Sequence, residues 1–342
     1  MDLEVLTGEG VVAGGPSLVI GPEHLVPSLE PVKVAAVRRH HHAGVYATSD
    51  GVLFKNFVPM REASDGKKTL SNRILGLRWS YIRNAYRKSV WFCTRHTDID
   101  SGYWVTDNLS SNYYHWFCEV FPKLYLLAQC DTAVTIILPH DLQRRSFVAG
   151  SIDSLGFEHV IFIDHEQSVK VKNLYTINSP SPKNMFRADV LSGMRILLRN
   201  HFGITDDGDG HDRVYISRHS AKKRRVTNED EIRDVLTAHG FRVVEMENLD
   251  FEDQVKLMIS CKYLVAGHGA GLTNMLFMKA GGAVMEVRER RNPPCFVSLA
   301  SALGHRHYSL HADTVHTQRS ANWGDVRIDP VQLDSAVERM FD

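Results

Sequence analysis

The chain of 342 residues has the composition of a packed globular protein, 43% hydrophobic and 23% charged, and is long enough for two domains. Its 40 lysine and arginine residues balance 40 aspartate and glutamate residues, so no basic excess favours a nucleic-acid partner. The N-terminal residues lack a basic segment followed by an apolar core, and no apolar run reaches transmembrane length, so we expect a cytoplasmic protein. Five scattered cysteines without a CxxC pair argue against a zinc site or a disulfide framework.

The first half of the chain combines short strands with a strand–helix–strand pattern. Residues 1–60 carry β-rich runs between glycine, proline and aspartate turns. Three adjacent histidines, 40–42, interrupt them, but strand neighbours point to opposite faces, so we do not expect a metal site there. The pattern then predicts a long apolar helix over 113–130, a strand over 134–138, a helix over 144–155, a strand over 159–163 and a helix over 185–202. This alternation is typical of an α/β fold with a parallel sheet.

A polar, glycine-containing stretch at 205–212 is the predicted linker between two domains. It separates an N-terminal α/β domain, 1–204, on the acceptor side from a C-terminal Rossmann-like donor domain, 205–342. Asp207 and Asp209 in the linker resemble a DxD metal motif, but their spacing fits no calcium loop and no strand end supports them. The linker interpretation is therefore preferred.

The strand–helix alternation restarts after the linker. A helix predicted to open at Thr227, with Asp230 at capping-box spacing, follows the first strand. The strands are predicted over 213–217, 241–245, 263–266 and 283–287, with a helix over 251–261. Two α/β halves of this kind predict a ligand cleft between them, at the C-terminal ends of the strands.

A glycine-rich turn, Gly267-His268-Gly269-Ala270-Gly271, breaks the strand predicted over 263–266. Glycines let the backbone approach a ligand closely, and the following helix would direct unpaired N–H groups at it. Phosphate is the natural ligand for such a turn. We therefore expect the amides of Gly269, Ala270 and Gly271 to bind a diphosphate.

Three side chains near the glycine turn are predicted to contact the same donor. His268 occupies the tip of the turn, where it can donate to a phosphate or to the sugar. Asn274 lies in the first turn of the following helix. Glu286 ends the next strand and is predicted either to accept hydrogen bonds from ribose hydroxyls or to be a satisfied structural carboxylate.

A basic loop follows the strand predicted over 213–217. Arg218 lies at the end of that strand, and Lys222, Lys223, Arg224 and Arg225 follow within the loop. A guanidinium can bind a diphosphate through two hydrogen bonds and offset charge on a departing nucleoside diphosphate. The alternative is a solvated basic loop. We assign Arg218, and with it Arg225, to donor binding.

Polar residues spaced four apart lie on the otherwise apolar helix predicted over 113–130. They are His115, Glu119 and Lys123, which form one narrow stripe. The solvent face of an amphipathic helix is one interpretation. The other is a catalytic pair, because a carboxylate one turn from an imidazole can be held ionised and oriented, as a general base requires. We expect Glu119 to be the base, with His115 as the alternative.

Several motifs together resemble family 61 glycosyltransferases. They are Arg-x-Tyr-Ile-Ser-Arg at 213–218, Gly-His-Gly-Ala-Gly-Leu-Thr-Asn at 267–274, and Tyr-His-Trp at 114–116 with the acidic residue at 119. The resemblance covers roughly residues 112–286. It implies a GT-B-like fold of two Rossmann-type α/β domains facing a cleft, an inverting mechanism, a UDP-linked donor, a glycan or glycolipid acceptor, and no obligatory metal or other cofactor. Without a signal anchor or paired cysteines, the chain resembles a bacterial, cytosolic member acting in surface polysaccharide synthesis.

Other functions fit the sequence less well. A dehydrogenase would need the distal glycine of G-x-G-x-x-G, which is absent after Gly271, and a suitably placed acidic residue. A hydrolase would need a G-x-S-x-G elbow, which does not occur. A catalytically silent glycan- or nucleotide-binding protein of the same fold remains the alternative. The donor sugar, the oligomeric state and association with a membrane surface stay open.

Overall fold

The computed structural model describes residues 5–7, 10–12, 17–20, 32–34, 36–56, 58–60, 95–181, 185–204, 212–221, 223–289, 292–315 and 324–342. The chain divides into two compact units: Met1–Gly10 with Val34–Pro182, and Val11–Lys33 with Lys183–Asp342. Residues 205–211 of the predicted linker, including Asp207 and Asp209, lie outside the described residues, as does Lys222. The predicted boundary between residues 204 and 205 therefore stays a prediction.

The strands follow one another in this order: β1 Val5–Thr7, β2 Gly10–Val12, β3 Ser17–Ile20, β4 Val32–Val34, β5 Val37–Thr48, β6 Leu53–Lys55, β7 Val58–Pro59, β8 His96–Trp104, β9 Thr135–Leu138, β10 His159–Phe162, β11 Ser168–Ile177, β12 Asp212–Ile216, β13 Arg242–Val244, β14 Cys261–Gly267, β15 Ala283–Arg288, β16 Arg306–His311, β17 Asp313–Val315 and β18 Asp325–Arg327. Outside the two large sheets, β2 pairs with β4, and β17 pairs with β18.

The helices are α1 Tyr113–His115, α2 Phe121–Ala128, α3 Ser146–Ile152, α4 Ala188–His201, α5 Glu229–Ala238, α6 Phe251–Ser260, α7 Cys295–Ala302 and α8 Pro330–Phe341. A π-helical segment, Trp116–Val120, joins α1 to α2. Segments of 3₁₀ helix span His140–Leu142, Asp153–Leu155, Met246–Asn248 and Ala270–Phe277. No helix in the described ranges is long and apolar enough to cross a membrane.

The first unit is built on a mixed sheet of order β10-β9-β8-β11-β5-β6-β7, with β1 also paired to β5. The parallel alternation predicted for this half is confirmed, since β9 runs parallel to β10 and β11 parallel to β8. The β-rich start of the chain adds antiparallel strands to the same sheet, because β5 pairs antiparallel with β11.

Two of the three adjacent histidines make side-chain contacts with the strand that pairs with β5. Nε2 of His41 lies 3.0 Å from Oδ1 of Asn173, and Nε2 of His42 lies 3.0 Å from Oγ1 of Thr176. Both partners belong to β11, the neighbouring strand. Among the described residues, no group of three or more His, Cys, Asp or Glu side chains is placed to hold a metal ion.

The second unit is built on a parallel sheet of order β13-β12-β14-β15-β16-β3. Its central strand β14 is apolar, with Leu264, Val265 and Ala266 buried, as expected for a strand covered on both faces. The predicted α/β class is thus confirmed, whereas the GT-B arrangement stays a prediction.

The order of strands reverses between β12 and β14. From β12 the chain passes through α5 to β13 on one side, and then through α6 to β14 on the other side of β12. In open α/β sheets, ligands bind outside the C-terminal ends of the strands at such a switch point. The loops that follow β12 and β14 are therefore the first place to seek a ligand site.

The cap predicted at Thr227 is wrong, since α5 begins one residue later, after Asn228. The Asn228 side chain does not cap its own helix. Its Nδ2 donates to the Ile328 carbonyl at 2.8 Å, and its Oδ1 accepts from the Ile328 N–H at 3.1 Å. A contact between residues 100 positions apart thus replaces the local capping box.

Candidate functional site

The glycine turn at 267–271 begins at the last residue of β14 and leads into a 3₁₀ helix rather than the predicted α-helix. Leu272 N–H donates to the Gly269 carbonyl at 3.0 Å, an i→i+3 bond that tightens the start of this helix. The N–H groups of Gly269, Ala270 and Gly271 donate to no acceptor in the described part of the chain. These three donors are therefore available to an anion.

The Arg218 side chain, which follows the C-terminal end of β12, lies against this turn. Its Nε donates to the Arg224 carbonyl at 3.1 Å and its Nη2 to the Lys223 carbonyl at 3.0 Å, which fixes the guanidinium. A Cβ added to Gly269 would lie 2.7 Å from Nη1 of Arg218. Nη1 itself donates to no residue that the structure describes, so one corner of the guanidinium remains for a ligand.

Burial affects the pKa of this guanidinium. Desolvation, and after it the charge of Arg224, lower the pKa of Arg218 from its ordinary value. An arginine nevertheless stays protonated at neutral pH. A fixed, partly desolvated cation against Gly269, in a turn with unpaired N–H groups, is an arrangement that suits a diphosphate.

Arg224, which the sequence prediction left out, also reaches the turn. Its Nη1 donates to the His268 carbonyl at 3.0 Å, and its backbone is left-handed, with φ of 56°. Arg225 instead pairs with Asp325, through Nη2 to Oδ2 and through its backbone N–H to Oδ1, both at 3.0 Å. Sequence reasoning could not separate the two arginines, because their directions depend on the backbone at Arg224.

A buried ionic cluster behind the turn is centred on Glu286, whose exposure is 0%. Its Oε1 lies 2.5 Å from Nδ1 of His268. Its Oε2 lies 3.2 Å from Nε2 of His307 and 3.4 Å from Nη1 of Arg288. Burial alone would raise the pKa of Glu286, but hydrogen bonds from the two histidines and the charge of Arg288 outweigh it and lower this pKa to about 2.

The ionised Glu286 orients the His268 ring. With Nδ1 directed to the carboxylate, Nε2 is the atom left to meet a ligand, and it makes no hydrogen bond within the described ranges. The same contacts occupy both oxygens of Glu286, which favours the structural alternative of its prediction. Asn274 is likewise buried, with Nδ2 donating to the Gly271 carbonyl at 3.1 Å. Both side chains support the turn.

The pair predicted on the first unit is present. Nδ1 of His115 lies 2.9 Å from Oε2 of Glu119, and the two side chains are 23% and 24% exposed. The backbone between them is π-helical, a form that is frequent at functional sites. Lys123, the third member of the stripe, donates to the Val105 carbonyl at 3.3 Å. A partly buried carboxylate oriented by an imidazole has the geometry of a general base.

The sequence profile of the family Glycosyltransferase 61 matches residues 113–285, slightly more than half of the chain. The chain belongs to this family. The matched interval includes His115, Glu119, Arg218 and the glycine turn, and it agrees to within one residue at each end with the interval 112–286 inferred from the motifs.

Relatives of this Glycosyltransferase 61 chain include proteins named EGF domain-specific O-linked N-acetylglucosamine transferase. The mouse (Mus musculus) protein is 34% identical over 112 residues, which cover 31% of the chain and 21% of the relative. The Drosophila melanogaster protein is 34% identical over 97 residues, covering 28% and 18%. The Rattus norvegicus protein is 32% identical over 231 residues, covering 59% and 43%.

The chain thus spans less than half the length of each of these relatives. All three are eukaryotic proteins, so they give no support to the expected bacterial origin.

Proposed function

We propose that this chain is an inverting glycosyltransferase whose donor is a nucleoside-diphosphate sugar, most simply a UDP-sugar. The observation that carries the proposal is the Arg218 guanidinium held against Gly269, in a turn whose N–H groups at 269–271 are unpaired among the described residues. This group lies at the switch point between β12 and β14, where α/β sheets bind pyrophosphate. We assign donor binding to the second unit on this basis.

The reaction is a single displacement. A carboxylate oxygen of Glu119 takes the proton of the acceptor hydroxyl, and the acceptor oxygen bonds to the anomeric carbon. The bond from that carbon to the diphosphate oxygen breaks, and its electron pair leaves with the nucleoside diphosphate. Arg218 and the amides of Gly269, Ala270 and Gly271 stabilise the charge that develops there. His115 keeps the Glu119 carboxylate oriented through the 2.9 Å contact.

The positive charge needed at the leaving group comes from the protein in this proposal. Arg218 supplies a cation and the glycine turn supplies aligned dipoles, which together take the role that a divalent metal has in other transferases. His268, oriented by Glu286, adds a donor or acceptor at Nε2. We therefore propose that turnover is independent of metal.

The names of the relatives suggest which substrates to test first. They are called N-acetylglucosamine transferases, so UDP-N-acetylglucosamine is the first donor for this chain. The expected acceptor is a glycan hydroxyl, as in polysaccharide synthesis. Because the same names specify O-linked transfer to EGF domains, a hydroxyl on a folded protein is the second acceptor to test.

The test is a thermal-shift panel on the purified chain with UDP, GDP, CMP, dTDP and NAD, each with and without EDTA. A ligand that binds only the folded state raises Tm by mass action. We expect a shift with one nucleoside diphosphate that EDTA leaves unchanged. An Arg218→Ala variant should lose this shift, while Arg327→Ala, which removes a 55% exposed cation from the same unit, should keep it.

Three other outcomes would contradict parts of the proposal. A shift with NAD alone would replace the transferase with a dehydrogenase. A shift that EDTA abolishes would contradict metal independence. Nucleotide binding without any transfer from the matching nucleotide-sugar would favour the catalytically silent binding protein.

A further inference from the structure

A cavity of about 340 Å³ adjoins the basic loop of the second unit. Its volume is at the lower end of the range for small-molecule sites. The cavity is lined by His219, Arg225, Val226, Thr227, Glu229 and Asp230. His219 directly follows Arg218, and Arg225 directly follows Arg224, so one loop contributes both to the cavity and to the glycine turn.

Glu229 contributes to this cavity a carboxylate that is only half satisfied. The residue is 5% exposed, and its Oε1 accepts from the Tyr215 hydroxyl at 3.0 Å. Its Oε2 is buried without a hydrogen-bond partner among the described residues, and Nδ1 of His219 lies 3.8 Å away. A buried carboxylate oxygen without a donor is destabilising unless a ligand supplies one.

The position of Glu229 relates it to the diphosphate site. Tyr215, which holds Glu229, belongs to β12, the strand that ends just before Arg218. A ligand whose phosphates lie on the glycine turn would therefore have its adjacent group near this cavity. In a nucleoside diphosphate the group adjacent to the phosphates is ribose, whose vicinal hydroxyls are two donors for one carboxylate oxygen.

We propose that the cavity binds the ribose of the donor nucleotide, with Oε2 of Glu229 accepting hydrogen bonds from the 2′- and 3′-hydroxyls. The assignment rests on the proposed function, since it takes the ligand to be a nucleoside diphosphate. It also transfers to Glu229 the ribose contact that the sequence had suggested for Glu286, whose oxygens are both engaged within the protein. The hydroxyls of the transferred sugar have the same chemistry, and the experiment separates the two.

The experiment measures binding of UDP, of 2′,3′-dideoxy-UDP and of UDP-N-acetylglucosamine to the whole chain by calorimetry. Glu229→Gln keeps an acceptor for the Tyr215 hydroxyl and replaces Oε2 with an NH₂ group, which donates. The matched control is Glu231→Gln, which removes a carboxylate two residues along that is 51% exposed and paired with Arg327 at 3.0 Å. Circular dichroism and Tm establish that each variant is folded.

We expect the wild-type chain to bind UDP at least tenfold more tightly than the dideoxy nucleotide, as for hydrogen bonds to a charged acceptor. Glu229→Gln should lose about tenfold in UDP affinity and should no longer distinguish the two nucleotides. Glu231→Gln should bind both as the wild type does. Should Glu229→Gln fail to fold, the affinities of the wild-type chain for UDP and for dideoxy-UDP still decide whether the ribose hydroxyls are bound.

Equal wild-type affinity for UDP and dideoxy-UDP would overturn the ribose assignment and leave the proposed function standing. A loss in Glu229→Gln that is confined to UDP-N-acetylglucosamine would also overturn it, because the transferred sugar would then occupy the cavity. Absence of binding by every nucleotide in the earlier panel would overturn the proposed function, and this assignment with it.

Discussion

Replacing Gly269 with alanine tests whether the Arg218 guanidinium is held over the glycine turn. The added Cβ would lie 2.7 Å from Nη1 and 3.4 Å from Cζ of Arg218, which is too close for the guanidinium to stay in place. The backbone itself accepts alanine, because the φ of 166° at Gly269 is extended. The guanidinium is the end of a flexible side chain, so it moves while the fold remains. Because the displaced guanidinium gives up its hydrogen bonds to the Arg224 and Lys223 carbonyls, we expect the free energy of unfolding to fall by about 1–3 kcal/mol.

The expected effect of Gly269→Ala is on nucleotide affinity. A hydrogen bond between charged groups contributes about 1.5–3 kcal/mol, so displacing the guanidinium should weaken UDP binding about tenfold to a hundredfold. Isothermal titration of UDP measures this change directly. Arg327→Ala is the control, because it removes a 55% exposed cation from the same unit and leaves the glycine turn unchanged. That variant should retain most of the UDP affinity.

A double-mutant cycle with Arg218→Ala decides whether the two residues act together. If Gly269→Ala weakens binding by moving the guanidinium, it should have little further effect once that guanidinium is removed. A full, additive loss in the Arg218→Ala background would refute the reasoning. Gly269 would then act through its own backbone or through the ligand.

Three ionisable groups yield further predictions. Glu119→Gln should lower turnover about 10²–10⁴-fold while UDP affinity changes less than twofold, and near-normal kinetics would transfer the role of base to His115. The pKa of Glu286 falls from 4.5 in the unfolded chain to about 2 in the folded protein, so its ionisation stabilises the protein by about 3 kcal/mol above pH 4.5. This stabilisation is lost as the pH falls from 4.5 to 2. Urea unfolding midpoints of Glu286→Gln should not show this loss. Burial lowers the pKa of His305 from 6.5 to about 4, so the free energy of unfolding should fall as the pH drops from 6.5 to 4. His305→Gln should remove this pH dependence. An unchanged pH dependence in the variant would contradict the burial argument.

Those parts of the candidate site that depend on local sequence were predictable. Glycines between an apolar strand and a helical run indicated the turn at 267–271, and the strand predicted over 213–217, observed to end at Ile216, placed Arg218 at a neighbouring strand end. Helical spacing placed His115 and Glu119 together, and a contact of 2.9 Å is present. Each of these inferences needed only the geometry of one element or of two neighbouring strand ends.

The parts that depend on sheet register or on distant contacts were not predictable. His307 meets Glu286 because β15 and β16 are adjacent parallel strands, and no local pattern encodes that pairing. Asp325 forms an ion pair with Arg225, which lies 100 positions earlier in the sequence. The π-helical turn from Trp116 to Val120 also has no simple periodic signal, since its apolar positions fit an ordinary α-helix equally well.

Two buried carboxylates of the second unit, Glu286 and Glu229, differ in how many of their oxygens have partners within the protein, and this difference separates their roles. Glu286 lies 2.5 Å from His268, 3.2 Å from His307 and 3.4 Å from Arg288, so it is stable as an anion without a ligand. A ligand that competed for it would release His268 and loosen the turn that holds the phosphates. Glu229 has one donor, from Tyr215, and a second oxygen without a partner in the described chain. A ligand hydroxyl can therefore bind to Glu229 without displacing a hydrogen bond of the protein, which is why Glu229 is the carboxylate suited to the donor.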